Sequence, residues 1–227
     1  MIKLFLKAKH WQLFVIFFGF PLLLQFVILG SFMTSLPFNP SVEPSPSDIA
    51  DIFNNFFMWF PVIMLPMILG FAGWIWSISV GLHPKLPEGH GLNLTLFKSM
   101  LLVVLLISFF MFYIMINMFS EMFTMIENQT EMTEMPTWFG QMFMIFPLAL
   151  ISMGCSIYTY YHTAKTIKLV EKGNTQRKPE FIGEFFLIWF YYIGVWILQP
   201  KLNEMIEDDY VTPNEETIAS NNQQYDN

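Results

Sequence analysis

The sequence predicts an all-α protein, a polytopic bundle of transmembrane helices, and three observations support that prediction. Of its 227 residues, 54% are hydrophobic, which is more than an ordinary soluble domain carries. Five apolar stretches reach the roughly 20 residues that a helix needs to cross a hydrocarbon core. Lys and Arg are concentrated in alternate hydrophilic segments between these stretches. The five predicted spans are about 11–33, 57–82, 99–119, 139–160 and 181–199.

The spans are expected to be helices, because lipid offers no hydrogen bonds to an unpaired backbone. A membrane barrel would need segments of about ten residues with alternating polarity. The run from Leu101 to Ile107 is apolar at every position, so the barrel is rejected.

Lys and Arg orient the chain. They precede the first span and lie between the second and third and between the fourth and fifth, whereas the other two loops contain none. Because cytoplasmic loops are rich in these residues, we expect a cytoplasmic N-terminus and, after five crossings, an outer C-terminus. Of the eleven Lys and Arg residues, only Lys201 would then lie outside. The positive inner face suits anionic lipid and calls for no nucleic-acid partner.

The first two spans need individual justification. The first is longer than the roughly 7–15 apolar residues of a signal peptide, so we interpret it as a retained membrane helix. Prolines between residues 37 and 46 predict an extended outer loop. Ser47 is typical of a helix N-cap, and we expect a helix from there into the second span. Pro61 and Pro66 within that span predict kinks, and a discontinuous helix at a binding site is the alternative.

The last three spans differ in their ends. Methionines at spacings of four and three line one face of the helix that extends the third span outward, which favours packing: Met111, Met115, Met118, Met122 and Met125. Gly173 ends the extension of the fourth span.

Residues 1–205 are predicted to form one transmembrane domain, and residues 206–227 are predicted to be a polar, disordered, extracytoplasmic tail.

Glu184 is the one ionisable residue that we place inside a predicted span. A carboxylate in a membrane is a functional candidate by default. Its place one turn from the inner end favours a simpler role, reaching the interface and pairing with Lys178 or another inner cation.

Five neutral polar residues complete the set of candidate intramembrane sites. Hydrogen bonds between spans contribute about 0.6–2 kcal/mol each, enough to fix how helices pair, so we interpret these residues as contacts between helices. A substrate pathway is the alternative interpretation. The five are Gln25, Asn117, Gln141, Gln199 and Asn203.

No catalytic, metal or cofactor motif is recognisable. His83, Glu88 and His90 share a loop but match no zinc spacing, and we interpret the histidines as surface residues at the interface. Cys155 is the lone cysteine, so an intramolecular disulfide is excluded. We therefore expect no cofactor.

Several segments resemble a family of uncharacterised polytopic inner-membrane proteins from Bacteroidota-type bacteria. They are Ala164-Lys165-Thr166, residues 183–190 and 194–203, and Leu86-Pro87-Glu88-Gly89 with Phe97-Lys98. The resemblance covers under half of the chain. It implies a multi-pass protein of a bacterial inner membrane and transfers no functional residue.

These features lead to two functional hypotheses. The first is a non-enzymatic membrane component, a scaffold, accessory subunit or sensor that binds a membrane-protein partner or itself in the lipid bilayer. The second is a transporter or channel component for a small solute, working as an oligomer because five spans show no inverted repeat. A membrane enzyme is the third and least supported class.

Overall fold

The computed structural model describes residues 2–35, 45–127, 137–173 and 180–206. Within these residues the chain is helical and contains no strand, which confirms the all-α prediction. We number the helices α1 (Ile2–Lys7), α2 (His10–Phe14), α3 (Phe20–Ser35), α4 (Pro46–Gly81), α5 (Leu94–Glu127), α6 (Thr137–Lys172), α7 (Ile182–Trp189) and α8 (191–206).

Among the described residues, four helical stretches are long and apolar enough to cross a membrane: His10–Ser31, Trp59–Lys85, Leu94–Met125 and Phe139–Lys172. Each overlaps one of the first four predicted spans, and the last two are longer than predicted. In the first, one turn of π-helix, Val15–Gly19, joins α2 to α3.

The ends of the long helices follow local chemistry. Helix α4 begins at Pro46, one residue before the predicted cap, and stays helical through Pro61 and Pro66. Pro at the first position suits a helix because its missing N–H would be unpaired there anyway. At the start of α5, Asn93 Oδ1 accepts a hydrogen bond from the Leu96 amide at 3.0 Å, which is an N-cap contact.

The fifth predicted span, 181–199, is corrected by the structure. It is not one helix: α7 ends at Trp189, and Phe190 has ψ of 55°, outside the helical range. Seventeen residues separate Glu184 from Lys201, which would span about 25 Å in a straight helix, yet Lys201 Nζ lies 3.2 Å from Glu184 Oε1. Helices α7 and α8 therefore form an antiparallel hairpin.

Gly194 allows the two arms of this hairpin to approach each other. A Cβ placed on Gly194 would overlap the backbone carbonyl of Leu187. At the turn, the amides of Ile193 and Gly194 both donate to Phe190 O, and the Phe190 amide donates to Phe186 O. The absence of a side chain at residue 194 thus permits a tight, hydrogen-bonded turn.

The chain divides into two compact units. Unit 1 comprises Met1–Phe14, Gly73–Phe97 and Thr159–Asn227, and unit 2 comprises Val15–Ala72 and Lys98–Tyr158. Within unit 2, the Phe57 ring stacks on Phe119 with centroids 3.8 Å apart, and Gly70 leaves room for the ring of Phe17.

Unit 1 holds most of the deeply buried side chains. Small residues of α4 make room for α1, since a Cβ on Gly73 would meet Phe5 and one on Gly81 would meet Leu6. This is the small-residue packing that brings membrane helices close together. The fully buried apolar side chains of unit 1 include Leu13, Trp74, Ile78, Leu82, Phe97, Ile167, Ile188, Leu198 and Leu202.

Candidate functional site

Gln199 on α8 is the centre of a buried polar contact in unit 1. Its side chain is fully buried. Its Nε2 donates to the backbone carbonyls of Phe5 and Ala8, each at 2.9 Å. Its Oε1 accepts a 2.9 Å hydrogen bond from the Trp74 indole. One amide side chain therefore joins α1, α4 and α8.

The partners of Gln199 follow from where α1 ends. The last four carbonyls of a helix have no partner inside it, and α1 ends at Lys7. Burying them unpaired would be costly. Gln199 satisfies two carbonyls at this end, and Asn203, one turn further along α8, donates to Ala8 O at 3.3 Å. Gln199 thus connects α8 to α1 and α4, and Asn203 connects α8 to the residue that follows α1.

Glu184, the remaining predicted candidate in unit 1, belongs to an ion cluster. Its carboxylate pairs with Lys168 of α6 at 2.9 Å and with Lys201 of α8 at 3.2 Å. Both lysines also pair with Glu171, each at 2.8 Å. Two cations and two anions therefore connect α6, α7 and α8. The predicted partner Lys178 lies outside the described residues.

The position of Glu184 determines its protonation state. The residue is buried, and burial alone would raise the pKa of its carboxyl. Hydrogen bonds from Lys168 and Lys201 outweigh burial, so the pKa of Glu184 lies below its ordinary value. It is therefore a carboxylate at neutral pH, held by its partners.

Hydroxyl groups form a second contact between α4 and α6. Ser79 Oγ and Thr163 Oγ1 are buried and 2.9 Å apart, and Thr163 also lies 2.8 Å from the Thr159 carbonyl of its own helix. Nearby in the chain, Ser77 Oγ is buried and has no hydrogen-bond partner among the described residues. This part of the α4–α6 contact is polar rather than purely apolar.

The sequence analysis interpreted the histidines as surface residues, and for His162 this interpretation is wrong. His162 is fully buried and stacks on Phe97 with centroids 4.6 Å apart. In the loop, the rings of His83 and His90 meet edge to face at 5.3 Å. Burial, with the charges of His83 and Lys165, lowers the pKa of His90. Among the described residues, no group of three or more His, Cys, Asp or Glu could hold a metal ion.

The other three predicted residues, Gln25, Asn117 and Gln141, lie in unit 2. Gln25 is exposed on α3. Asn117 is exposed on α5, and its Nδ2 donates 2.7 Å to the Tyr113 carbonyl of the same helix. Gln141 Oε1 is buried without a hydrogen-bond partner among the described residues. The Asn117 bond stays within one helix, so it does not support a role for Asn117 as a contact between helices.

The methionines at spacings of four and three on α5 are all half-buried: Met111, Met115, Met118, Met122 and Met125. Their neighbours Ile114 and Phe123 on the same helix are buried. The five side chains are therefore partly covered, and packing stays their predicted role.

Sequence reasoning missed Trp74, Glu171 and Lys168 as members of these clusters. Lys201 carried a usable signal, because it was the one basic residue that the predicted topology left on the outer side. Trp189 carried another, since a tryptophan in the middle of a span is unusual. In the structure it ends α7 beside the hairpin turn.

In the part of the chain that the structure describes, the fold is all-α with four helices long and apolar enough to cross a membrane, and unit 1 contains buried polar contacts between its helices. No protein-family model matches the chain, and comparison with curated proteins and with solved structures found no match.

Proposed function

We propose that this chain is an integral protein of a bacterial inner membrane that acts by binding a membrane partner, as a scaffold, accessory subunit or sensor. One observation carries the proposal. The buried polar candidates of unit 1, Glu184 and Gln199, are bonded to other helices of the same unit. Side chains held in this way stabilise a rigid platform, which suits a protein that presents a surface.

We further propose four crossings with both ends on the cytoplasmic side, in place of five crossings with an outer C-terminus. Two contacts support this. Lys85, in the loop assigned to the inner side, donates to Met205 O, and Gln199 of α8 donates to Ala8 O near the N-terminus. With α8 inside, Lys201 joins the other basic residues, and all eleven lie on the side that the positive-inside rule requires.

The partner hypothesis is tested by purification at native expression level. The chain, tagged at its N-terminus, is crosslinked in membranes, extracted in mild detergent and analysed by quantitative mass spectrometry. A parallel sample carries Gln199→Leu, which removes the contact between α8 and α1. We expect a partner at fixed stoichiometry with the wild-type chain, and less of it per copy of the variant.

The alternative hypothesis predicts a different result. A homo-oligomer with no other stoichiometric protein, which passes a small solute across liposomes, would contradict the partner hypothesis and support a transporter or channel component. Empty liposomes and liposomes containing the Gln199→Leu variant provide the controls for solute leakage.

A further inference from the structure

The α7–α8 hairpin changes polarity along its length. Its open end holds charged residues on both arms, with Glu180 and Glu184 on one and Lys201 and Glu204 on the other. From residue 185 to residue 200 the sequence contains no Asp, Glu, Lys, Arg or His. The closed end is therefore wholly uncharged.

The side chains at the closed end are large and exposed. Phe190 at the turn is 53% exposed, and Ile193 is 62% exposed. Aromatic residues surround them: Phe186, Trp189, Tyr192 and Trp196 each expose 44% or more. Soluble proteins rarely expose a contiguous apolar surface of this kind.

The direction of this polarity gradient distinguishes a helix that lies on the bilayer surface from a hairpin that inserts into the bilayer. A helix lying flat on a bilayer is polar on one face and apolar on the other. Here the polarity changes from the open end to the closed end, as expected for a hairpin that points into the bilayer. The ion cluster of Glu184, Lys201, Lys168 and Glu171 then lies at headgroup depth.

The length of each arm fits half a bilayer. Helix α7 has 8 residues, about 12 Å at the rise of an α-helix, and the uncharged part of α8 is similar. The hydrocarbon core is about 30 Å thick. An apolar stretch long enough for one crossing therefore covers one leaflet twice when it is folded in two.

A turn inside a membrane must satisfy its backbone groups. At this turn the amides of Phe190, Ile193 and Gly194 donate to carbonyls within the hairpin. Helix α7 also rests on α6, where the Tyr160 ring meets Phe185 and Trp189 edge to face at 6.5 and 6.1 Å. The amides of these residues are therefore hydrogen-bonded, and α7, which leads into the turn, is supported by α6.

We propose that α7–α8 is a re-entrant hairpin whose closed end is buried among the acyl chains of the inner leaflet. The inference rests on the proposed cytoplasmic position of both chain ends, because that position decides which leaflet the hairpin enters. The occupant of the exposed apolar surface is lipid, and the hairpin anchors unit 1 in one leaflet without crossing the membrane.

Two isoleucines provide a matched test. Ile182 at the open end and Ile193 at the closed end are 63% and 62% exposed, so they differ in position rather than accessibility. Each is replaced by Cys, singly, in a Cys155→Ser background, since Cys155 is the only native cysteine. Glu204→Cys reports the side on which α8 ends.

A membrane-impermeant maleimide is applied to inverted and to right-side-out membrane vesicles. We expect Ile182→Cys and Glu204→Cys to react from the cytoplasmic side only. From either side, Ile193→Cys should react at least about tenfold more slowly than Ile182→Cys, because the reactive thiolate is disfavoured away from water. In liposomes, a fluorophore attached at residue 193 should be quenched by lipids with a nitroxide on the acyl chain.

The outcomes separate the two proposals. Reaction of Glu204→Cys from the outer side only would overturn both the cytoplasmic C-terminal end and the hairpin anchor. Reaction of Glu204→Cys from the cytoplasm, with Ile193→Cys as reactive as Ile182→Cys, would overturn the anchor alone. A protected residue 193 without quenching by lipid nitroxide would show that protein covers the tip, which also contradicts the anchor. Phe190→Cys repeats the measurement if the residue 193 variant does not fold.

Discussion

The indole N–H of Trp74 donates to Oε1 of Gln199 at 2.9 Å, across 125 residues of sequence. Because the same glutamine also donates to Phe5 O and Ala8 O, it joins the N-terminal helix, the end of α4 and the C-terminal hairpin of unit 1. The stability of this unit should depend on that one amide.

We expect Gln199→Leu to destabilise the protein strongly. The change removes the acceptor of the Trp74 indole and the donor to Phe5 O, while Ala8 O keeps its bond from Asn203, and each buried polar group left unsatisfied costs about 1–3 kcal/mol. The midpoint of thermal unfolding in detergent should fall by several degrees, with less protein in the membrane. Gln25→Leu is the control, since Gln25 is exposed on α3. An equal loss in both variants would argue against a special role for Gln199.

We expect Glu184→Gln to destabilise the protein more than Glu171→Gln. Both carboxylates pair with Lys168 and Lys201, but the side chain of Glu184 is 9% exposed and that of Glu171 is 35% exposed. Breaking the more buried pair leaves two lysine charges poorly compensated. Thermal unfolding in detergent compares the variants, and Glu184→Gln combined with Lys201→Met should recover part of the loss. A near-neutral Glu184→Gln would instead mean that this carboxylate merely reaches water.

Stability should also fall at acid pH through Glu184. Its pKa is lower in the folded protein than its ordinary value of 4.5, so its contribution is complete above that value and is lost as pH falls through the folded pKa. Unfolding midpoints measured at pH 7 and at decreasing pH values below 4.5 test this. The wild-type advantage over Glu184→Gln should shrink as pH falls, and an advantage that grows would contradict the assigned direction.

We expect Gly194→Ala to disrupt the α7–α8 hairpin. A Cβ at residue 194 would overlap the Leu187 backbone, whereas one at Gly183 would meet no atom within 4 Å. Gly183→Ala is therefore the control and should be tolerated or slightly stabilising, because Ala favours helix over Gly. Protease resistance of the region after residue 180 and the thermal midpoint measure the difference. A harmless Gly194→Ala would show that the arms can separate.

The Ser79–Thr163 hydrogen bond should contribute a modest coupling energy between α4 and α6. A double-mutant cycle with Ser79→Ala and Thr163→Val isolates it. We expect a coupling of about 0.6 kcal/mol, the average measured for hydrogen bonds between membrane helices, and no more than about 1.7 kcal/mol. The Thr124 hydroxyl, which donates to Ser120 O of its own helix, gives a control that we expect to show no coupling to Ser79.

Local composition predicted five spans, and four of them correspond to helices of membrane-spanning length among the described residues. The burial of apolar side chains and the need to satisfy the backbone act residue by residue along a helix, so hydropathy places one predicted span on each of α4, α5 and α6. It does not give their ends: α6 continues to Lys172, well past the predicted end at residue 160. The alternation of Lys and Arg is equally local, and the proposed orientation still rests on it. Both Glu184 and Gln199 were identified as candidates because polar residues in apolar segments are rare.

Tertiary structure decided which groups those candidates meet and how the last apolar segment folds. Hydropathy measures how apolar a segment is but does not show whether the chain reverses within it. Residues 181–199 are therefore equally compatible with one crossing and with two half-crossings. The break falls at Phe190, with neither Pro nor Gly at that position to mark it. What selects the hairpin is contact between distant residues: Gly194 against Leu187, Lys201 on Glu184, and Gln199 on the carbonyls that α1 leaves unpaired.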